Sequence, residues 1–176
     1  MNIVWLSYLF GDYNRAGGFA AKLSEHVTLI FGSQIQELIK SFFCGLTWLA
    51  LAKETKNKTL KKLAMKQMNK FKKWSQDSPF NCLQKLFLLK AEYAVLQRRY
   101  SKAERYYYEA IRLSRKHGFL NDEALAHERF GIFYSERQNI NAAHEHLTCA
   151  EELYGKWGAH AKVNHVRSKI RAITAS

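Results

Sequence analysis

Apolar residues recur along most of the chain at spacings of three and four, the periodicity of helices that bury one face. Read together with helix start and stop signals, the pattern predicts helices at about 2–10, 13–31, 34–54, 57–75, 80–97, 101–117, 121–137, 140–156 and 159–173. Ser101 and Glu104 form an S-x-x-E pattern suited to a capping box at the start of the sixth helix. Asp77-Ser78-Pro79 places a cap residue before a proline at the first helical position, where its missing N–H is no loss. Gly118 follows the basic last turn Arg115-Lys116-His117, and Gly155 and Gly158 flank Trp157 at another helix end. Nine glycines and one proline are too few for the turns of an all-β chain.

A repeat is laid over this periodicity. Phe87, Ala91, Ala94, Tyr100, Ala103, Tyr107 and Ala110 follow the large-small-aromatic spacing of a tetratricopeptide hairpin, in which small residues let two antiparallel helices approach and aromatics fill the gap beside them. Phe130-Gly131, Tyr134, Ile140, Ala143, Leu147 and Ala150 return to it, with Ala143 40 residues after Ala103. That interval exceeds the common period of ~34 residues. Gly11 to Ala16, and Gly45 with Trp48, are weaker echoes. The expected fold is all-α, a tetratricopeptide-like right-handed helical solenoid of about four hairpins in one domain, 1–176. Its best repeats are 80–118 and 120–157, and a capping helix at 159–173 presents Lys162, Arg167, Lys169 and Arg171 as a polar end. In this register Lys85, Leu88, Glu92 and Val95, then Glu128, Ile132, Ser135 and Glu136, are expected to lie exposed along a concave groove that binds peptides or neighbouring domains.

Charge changes the picture, because the chain carries a net +13 and the excess is local. Nine lysines against the single acid Glu54 fall between Lys53 and Lys73, so this stretch holds +8 of the total. Lys58, Lys61, Lys62, Lys66, Lys70 and Lys73 have helical offsets and are expected to form one cationic stripe, with Leu60, Leu63, Met65 and Phe71 turned to the remaining surface. Such a stripe is either a solvated face or a site for an acidic protein, nucleic acid or anionic lipid.

Catalytic chemistry is not indicated. His127-Glu128 superficially resembles a sensor-kinase phosphoacceptor, but the following proline is missing and the repeat turns His127 inward. His144-Glu145-His146 places its histidines two apart, pointing in different directions on a helix, so no metal site is expected. Tyr106-Tyr107-Tyr108 spreads around the helix, leaving Tyr107 in the core and its neighbours solvated. Cys44, Cys82 and Cys149 suit neither a disulfide framework nor a metal clip, and are expected as free thiols. No phosphate-binding loop or kinase motif is present, and no cofactor is expected. The apolar run Ile3 to Phe10 is too short to span a membrane and lacks a basic leader, so the expected location is cytoplasmic. Trp5, Leu6 and Leu9 would need cover at the open first half-repeat, which suggests a homodimer through that end.

The runs Asp77-Ser78-Pro79-Phe80-Asn81, Leu88 to Ala94, Tyr108 to Ile111, Lys116 to Phe119, Glu123 to Glu128 and Tyr154 to Val163 resemble one helical region in particular. It is the repeat region of multidomain signalling proteins that join a protein kinase-like domain, an AAA ATPase, a GAF domain and often a sensor histidine kinase. The resemblance covers about residues 8–170. It implies a noncatalytic protein-protein interaction or spacer module, a fragment or a stand-alone relative of that region, with kinase, ATPase or GAF neighbours as partners. Two alternatives stay open: a nucleic-acid-binding protein using the basic helix 53–73, and a non-catalytic subunit of a kinase-ATPase assembly.

Overall fold

The computed structural model of the protein describes residues 2–25 and 34–175. Among these residues there are nine α-helices and no strand: α1 (Asn2–Leu9), α2 (Tyr13–Glu25), α3 (Gln34–Thr55), α4 (Lys58–Asp77), α5 (Pro79–Leu96), α6 (Tyr100–Lys116), α7 (Leu120–Ser135), α8 (Ile140–Lys156) and α9 (His160–Thr174). Each begins and ends within two residues of its expected bounds, except that positions 26–31, expected to continue the second helix, lie outside the described residues. Consecutive helices pack against one another along the whole described chain, and α3 also packs on α1 and α5.

From α5 onward the turns follow a strict period. Arg98, Gly118, Gln138 and Gly158 all take positive φ, at 58°, 73°, 62° and 81°. After each, the next N–H reaches back five residues: Arg99 to the Ala94 carbonyl at 2.9 Å, Phe119 to Ser114 at 2.9 Å, Asn139 to Tyr134 at 3.1 Å and Ala159 to Tyr154 at 2.9 Å. This closure satisfies a carbonyl that a helix end would leave unpaired. Glycine adopts the left-handed conformation without strain at two of the four turns. Because the closure is the same each time, successive helices double back in the same way.

The closure also displaces the expected capping box. α6 starts at Tyr100, with Arg99 as the cap and no side-chain cap bond, so Ser101 lies inside the first turn. At the equivalent start of α8, the Asn139 side chain accepts from the Ala142 N–H at 3.2 Å. Ser78 does precede Pro79 at the start of α5, but its hydroxyl accepts from the Asn81 side chain at 3.0 Å instead of capping the backbone.

Small residues set the distance between helices. Ala91, Ala103, Ala124, Ala143 and Ala150 are wholly buried. A Cβ on Gly131 would sit 2.7 Å from Leu147 Cγ and 3.1 Å from the Ala143 carbonyl oxygen, so α7 and α8 touch there without room for a methyl group. Gly45 plays the same part in α3, where a Cβ would lie 2.9 Å from Leu89 of α5. One apolar cluster runs from α1 to α7, and a smaller one joins Ala124, Leu147, Ala150, Tyr154 and Val166 across α7 to α9.

Within α3, Ile35–Thr55 has the length and apolar composition of a membrane span. Its residues Phe42, Leu46 and Leu49 are buried in the main cluster, as in the core helix of a folded domain. The two ends of the chain meet: Trp5 packs on Phe43 at 5.6 Å and on Trp157 at 6.2 Å, and Phe10 packs edge-on against His165 at 5.3 Å. Trp5 and Leu9 are therefore covered within one chain, contrary to expectation, and Leu6 alone of the three stays exposed.

Replacing Gly131 by alanine should destabilise the protein by about 1–3 kcal/mol through overpacking. Gly155→Ala, inside α8 with only Val163 at 3.9 Å from the new Cβ, should stabilise it by about 0.5–1 kcal/mol. Urea denaturation of the two variants reads both signs, and equal effects would contradict the packing described.

Candidate functional site

The expected groove is occupied by the chain itself. Lys85, Leu88, Glu92, Val95 and Glu128 are buried, Ile132 and Ser135 are half-buried, and only Glu136 is exposed. They lie where α5, α7 and α9 face the N-terminal helices. Lys85 sits over the Phe42 ring of α3, and Glu136 accepts an ion pair from Lys53 of α3 at 2.5 Å. The spacing that puts these residues on the inner side carries no information about what packs there.

Charges on that side find partners on the next inner helix. Lys85 of α5 pairs with Asp122 of α7. Glu92 of α5 accepts from Arg129 of α7 at 2.8 and 3.1 Å and from the Tyr107 hydroxyl at 2.8 Å. Arg129 also donates to the Tyr13 hydroxyl of α2 at 2.8 Å. Glu128 of α7 receives Lys162 at 2.7 Å and Lys169 at 2.8 Å, both from α9, and the Tyr154 hydroxyl at 2.9 Å. Lys162 additionally donates to the Leu9 carbonyl at the end of α1.

Burial alone would raise the Glu128 pKa, but the two ammonium groups hold it down at about 2. Burial lowers Lys162 to about 8, and the Glu128 carboxylate opposes that fall, keeping the amine charged at neutral pH. Lys162 was expected on a solvated end cap, yet it is 3% exposed. A signal for this was present, since Asp122 and Lys162, and Arg129 and Lys169, occupy equivalent places 40 residues apart in the repeat.

His127 is buried, as its register implied, and meets a residue that sequence spacing did not connect to it. Its Nδ1 lies 3.0 Å from Nδ1 of His146 on α8, so one ring donates to the other. The His146 ring stacks on Phe130 and Tyr134 at 4.3 and 5.7 Å. Burial pushes His127 down to about 3, helped by the charges of His146 and Arg115, and burial also lowers His146. Both rings are thus neutral at pH 7. His144, two residues from His146, is exposed and faces elsewhere. No group of three or more metal-ligating side chains occurs among the described residues.

The lysine stripe of α4 divides into three. Lys70 turns toward α3 and pairs with Glu37 at 3.0 Å. Lys61 leans toward α5, with its ammonium 5.3 Å from the centre of the Tyr93 ring. Lys58, Lys62, Lys66 and Lys73 remain exposed, and none of these four makes an ion pair with a described residue. Met65, expected to point away from the lysines, is exposed among them, while Phe71 is fully buried. Lys62, Met65, Lys66, Asn69, Lys70 and Lys73 line a surface depression of about 410 Å³. All six belong to one helix, so the depression is walled by lysine stems and Met65 and has no facing element to enclose a small molecule.

Compared with protein-family models, curated proteins and solved structures, the chain gives no match.

Removing one member of the buried network should be costly, because its partner is left charged and dry. Glu128→Gln is expected to lose about 3–5 kcal/mol in chemical denaturation. Acid should act through the histidines first. The unfolded rings bind protons near pH 6.5, whereas His127 in the fold binds only near 3, so stability falls as pH drops through that window. Glu128 extends the loss from about pH 4.5 toward 2. His127→Phe should flatten the decline between pH 6 and 4.5 by up to ~1.4 kcal/mol per pH unit. An unchanged slope in that variant would show that His127 does not carry it.

Proposed function

We propose that the protein is a noncatalytic helical interaction module, built from tetratricopeptide-like hairpins, whose working surface is the outer basic face of α4. The observation that carries this reading is the contrast between matched and unmatched charge. Glu37, Glu92, Asp122, Glu123 and Glu128 each neutralise a cation of the fold. Lys62, Lys66 and Lys73 stand along one exposed helix face, and none of them forms an ion pair with a described residue. Like charges held on one face favour a partner that brings negative charge. A groove-bound peptide is a weaker reading, because α1 to α3 already cover the inner helices. The resemblance to the helical region of kinase-ATPase-GAF signalling proteins suits a module that positions other domains, and on this reading catalysis belongs to those neighbours.

The triple variant Lys62→Glu, Lys66→Glu, Lys73→Glu should keep its helical circular dichroism and leave heparin at much lower salt than the parent. A control with the same charge change at exposed sites, Lys116→Glu, Lys156→Glu, Arg171→Glu, should shift far less. Equal shifts in both would mean that net charge, and not the α4 face, governs binding.

A further inference from the structure

The basic surface continues beyond α4, and its chemistry changes as it does so. Lys61, Met65 and Lys72 are spaced by four and seven and so form one row of α4, about 100° round the helix from Lys62, Lys66 and Lys73. This row borders α5: the ammonium of Lys61 lies 5.3 Å from the Tyr93 ring centre, and the Tyr93 hydroxyl contacts the Met65 sulfur at 3.5 Å. Farther along, Lys90 of α5 places its ammonium 4.8 Å from the Phe87 ring and 5.7 Å from the Tyr106 ring of α6. Lys102 of α6 lies 5.9 Å from the same Tyr106 ring. Burial lowers the pKa of Lys90, and the charges of Lys72 and Lys102 lower it further, so three helices bring these cations within reach of one another. None of the three forms an ion pair with a described residue.

We propose that this surface of α4, α5 and α6 binds single-stranded nucleic acid, with lysines on the phosphates and bases against the rings of Phe87, Tyr93 and Tyr106. The inference rests on the reading of α4 as the working face and adds the identity of its partner. Charge alone would suit any polyanion, but here each ring lies beside a lysine, and rings interleaved with cations are what a strand of phosphates and planar bases requires. A peptide of acidic residues alone offers carboxylates to the lysines but no planar group to the rings. A membrane would need a cluster of protruding apolar side chains, whereas the rings beside the lysines, Phe87, Tyr93 and Tyr106, are half-buried. The lysines now over the rings have long, flexible stems, so each ammonium can swing to a phosphate and leave its ring face to a base. The row from Lys62 to Lys73 adds about 16 Å of cationic helix beside the rings.

Fluorescence anisotropy with a labelled 20-nucleotide oligouridylate tests this, with a duplex of equal length, polyglutamate and phosphatidylserine vesicles as competitors. The single strand should bind most tightly, and Phe87→Leu with Tyr106→Leu should weaken it about tenfold while leaving polyglutamate unaffected. Lys90→Gln with Lys102→Gln, which leaves the rings in place, should weaken the same complex and lower its salt slope by roughly 1–1.5. Unaltered single-strand binding in both double variants would overturn the inference. Tighter binding of polyglutamate, duplex or vesicles would also overturn it while leaving the α4 face as the working surface. If Lys62→Glu, Lys66→Glu, Lys73→Glu binds every probe as the parent does, the α4 reading itself falls.

Discussion

Arg129 and Lys162 are cations that water barely reaches, and the arrangement of the inner helices follows from how each is neutralised. An ionised side chain out of water is tolerated only when paired and hydrogen-bonded. Arg129 meets this demand with Glu92 on one side and Tyr13 on the other. Lys162 meets it with Glu128 and the Leu9 carbonyl. A slip of α7 by one residue along α5 or α9 would strand at least one of these charges. Pairs of this kind contribute less to net stability than apolar side chains of equal volume would, and their clearest effect is to make alternative registers expensive. Here they also fasten the first two helices to the last three, across 116 and 153 positions of sequence.

That fastening explains why the helices differ in pattern. In α7 every residue from Asp122 to Gly131 is buried, because α8 covers one side and the N-terminal helices and their neighbours enclose the rest. A helix enclosed all round has no polar face to spare, so its charges must point into the interior and be matched there. In α6, by contrast, Ala103, Tyr107, Ala110 and Ile111 form a single buried face, and Arg105 and Arg112 remain outside. The 20-residue rhythm of turns fixes the direction of each helix, and the ionic pairs fix how far each slides along its neighbour.

These two kinds of constraint were unequally legible in the sequence. The turns and the small residues are local, and Gly118, Gly158, Ala103, Ala143 and Gly131 could be placed from spacing alone. The ends of the helices followed, except where a backbone closure replaced the side-chain cap expected at Ser101. The inner face could not be placed in this way. Calling Glu92 and Glu128 exposed required assuming that nothing lay over the first helices of the hairpins, and the segments that lie there come from the far end of the chain. A hydrophobic pattern shows which side of a helix avoids water without showing which other helix provides the cover. Arg129 and Lys162, read singly, look like ordinary surface cations, and only their recurrence with Lys169 and Asp122 at the repeat interval marks them as members of one interior face. The division of the α4 stripe has a related cause. Six lysines at helical offsets describe one surface only if the helix is solvated, and α4 has α3 on one flank and α5 on the other, which draw off Lys70 and Lys61.

The result is two separate populations of charge. Glu92, Arg129, Glu128 and Lys162 are committed to holding helices in register, and changing any of them disturbs the fold before it disturbs a surface. Lys62, Lys66, Lys73, Lys90 and Lys102 pair with no carboxylate among the described residues, so their charge is not committed to holding those helices together. The interior pairs are shielded from salt by their burial, whereas the exposed lysines are within a Debye length of solution ions. Raising ionic strength therefore screens the outer lysines well before it loosens the helices. The division also constrains sequence change: the outer lysines can be altered without leaving a buried partner unpaired, and the inner charges can be altered safely only in pairs.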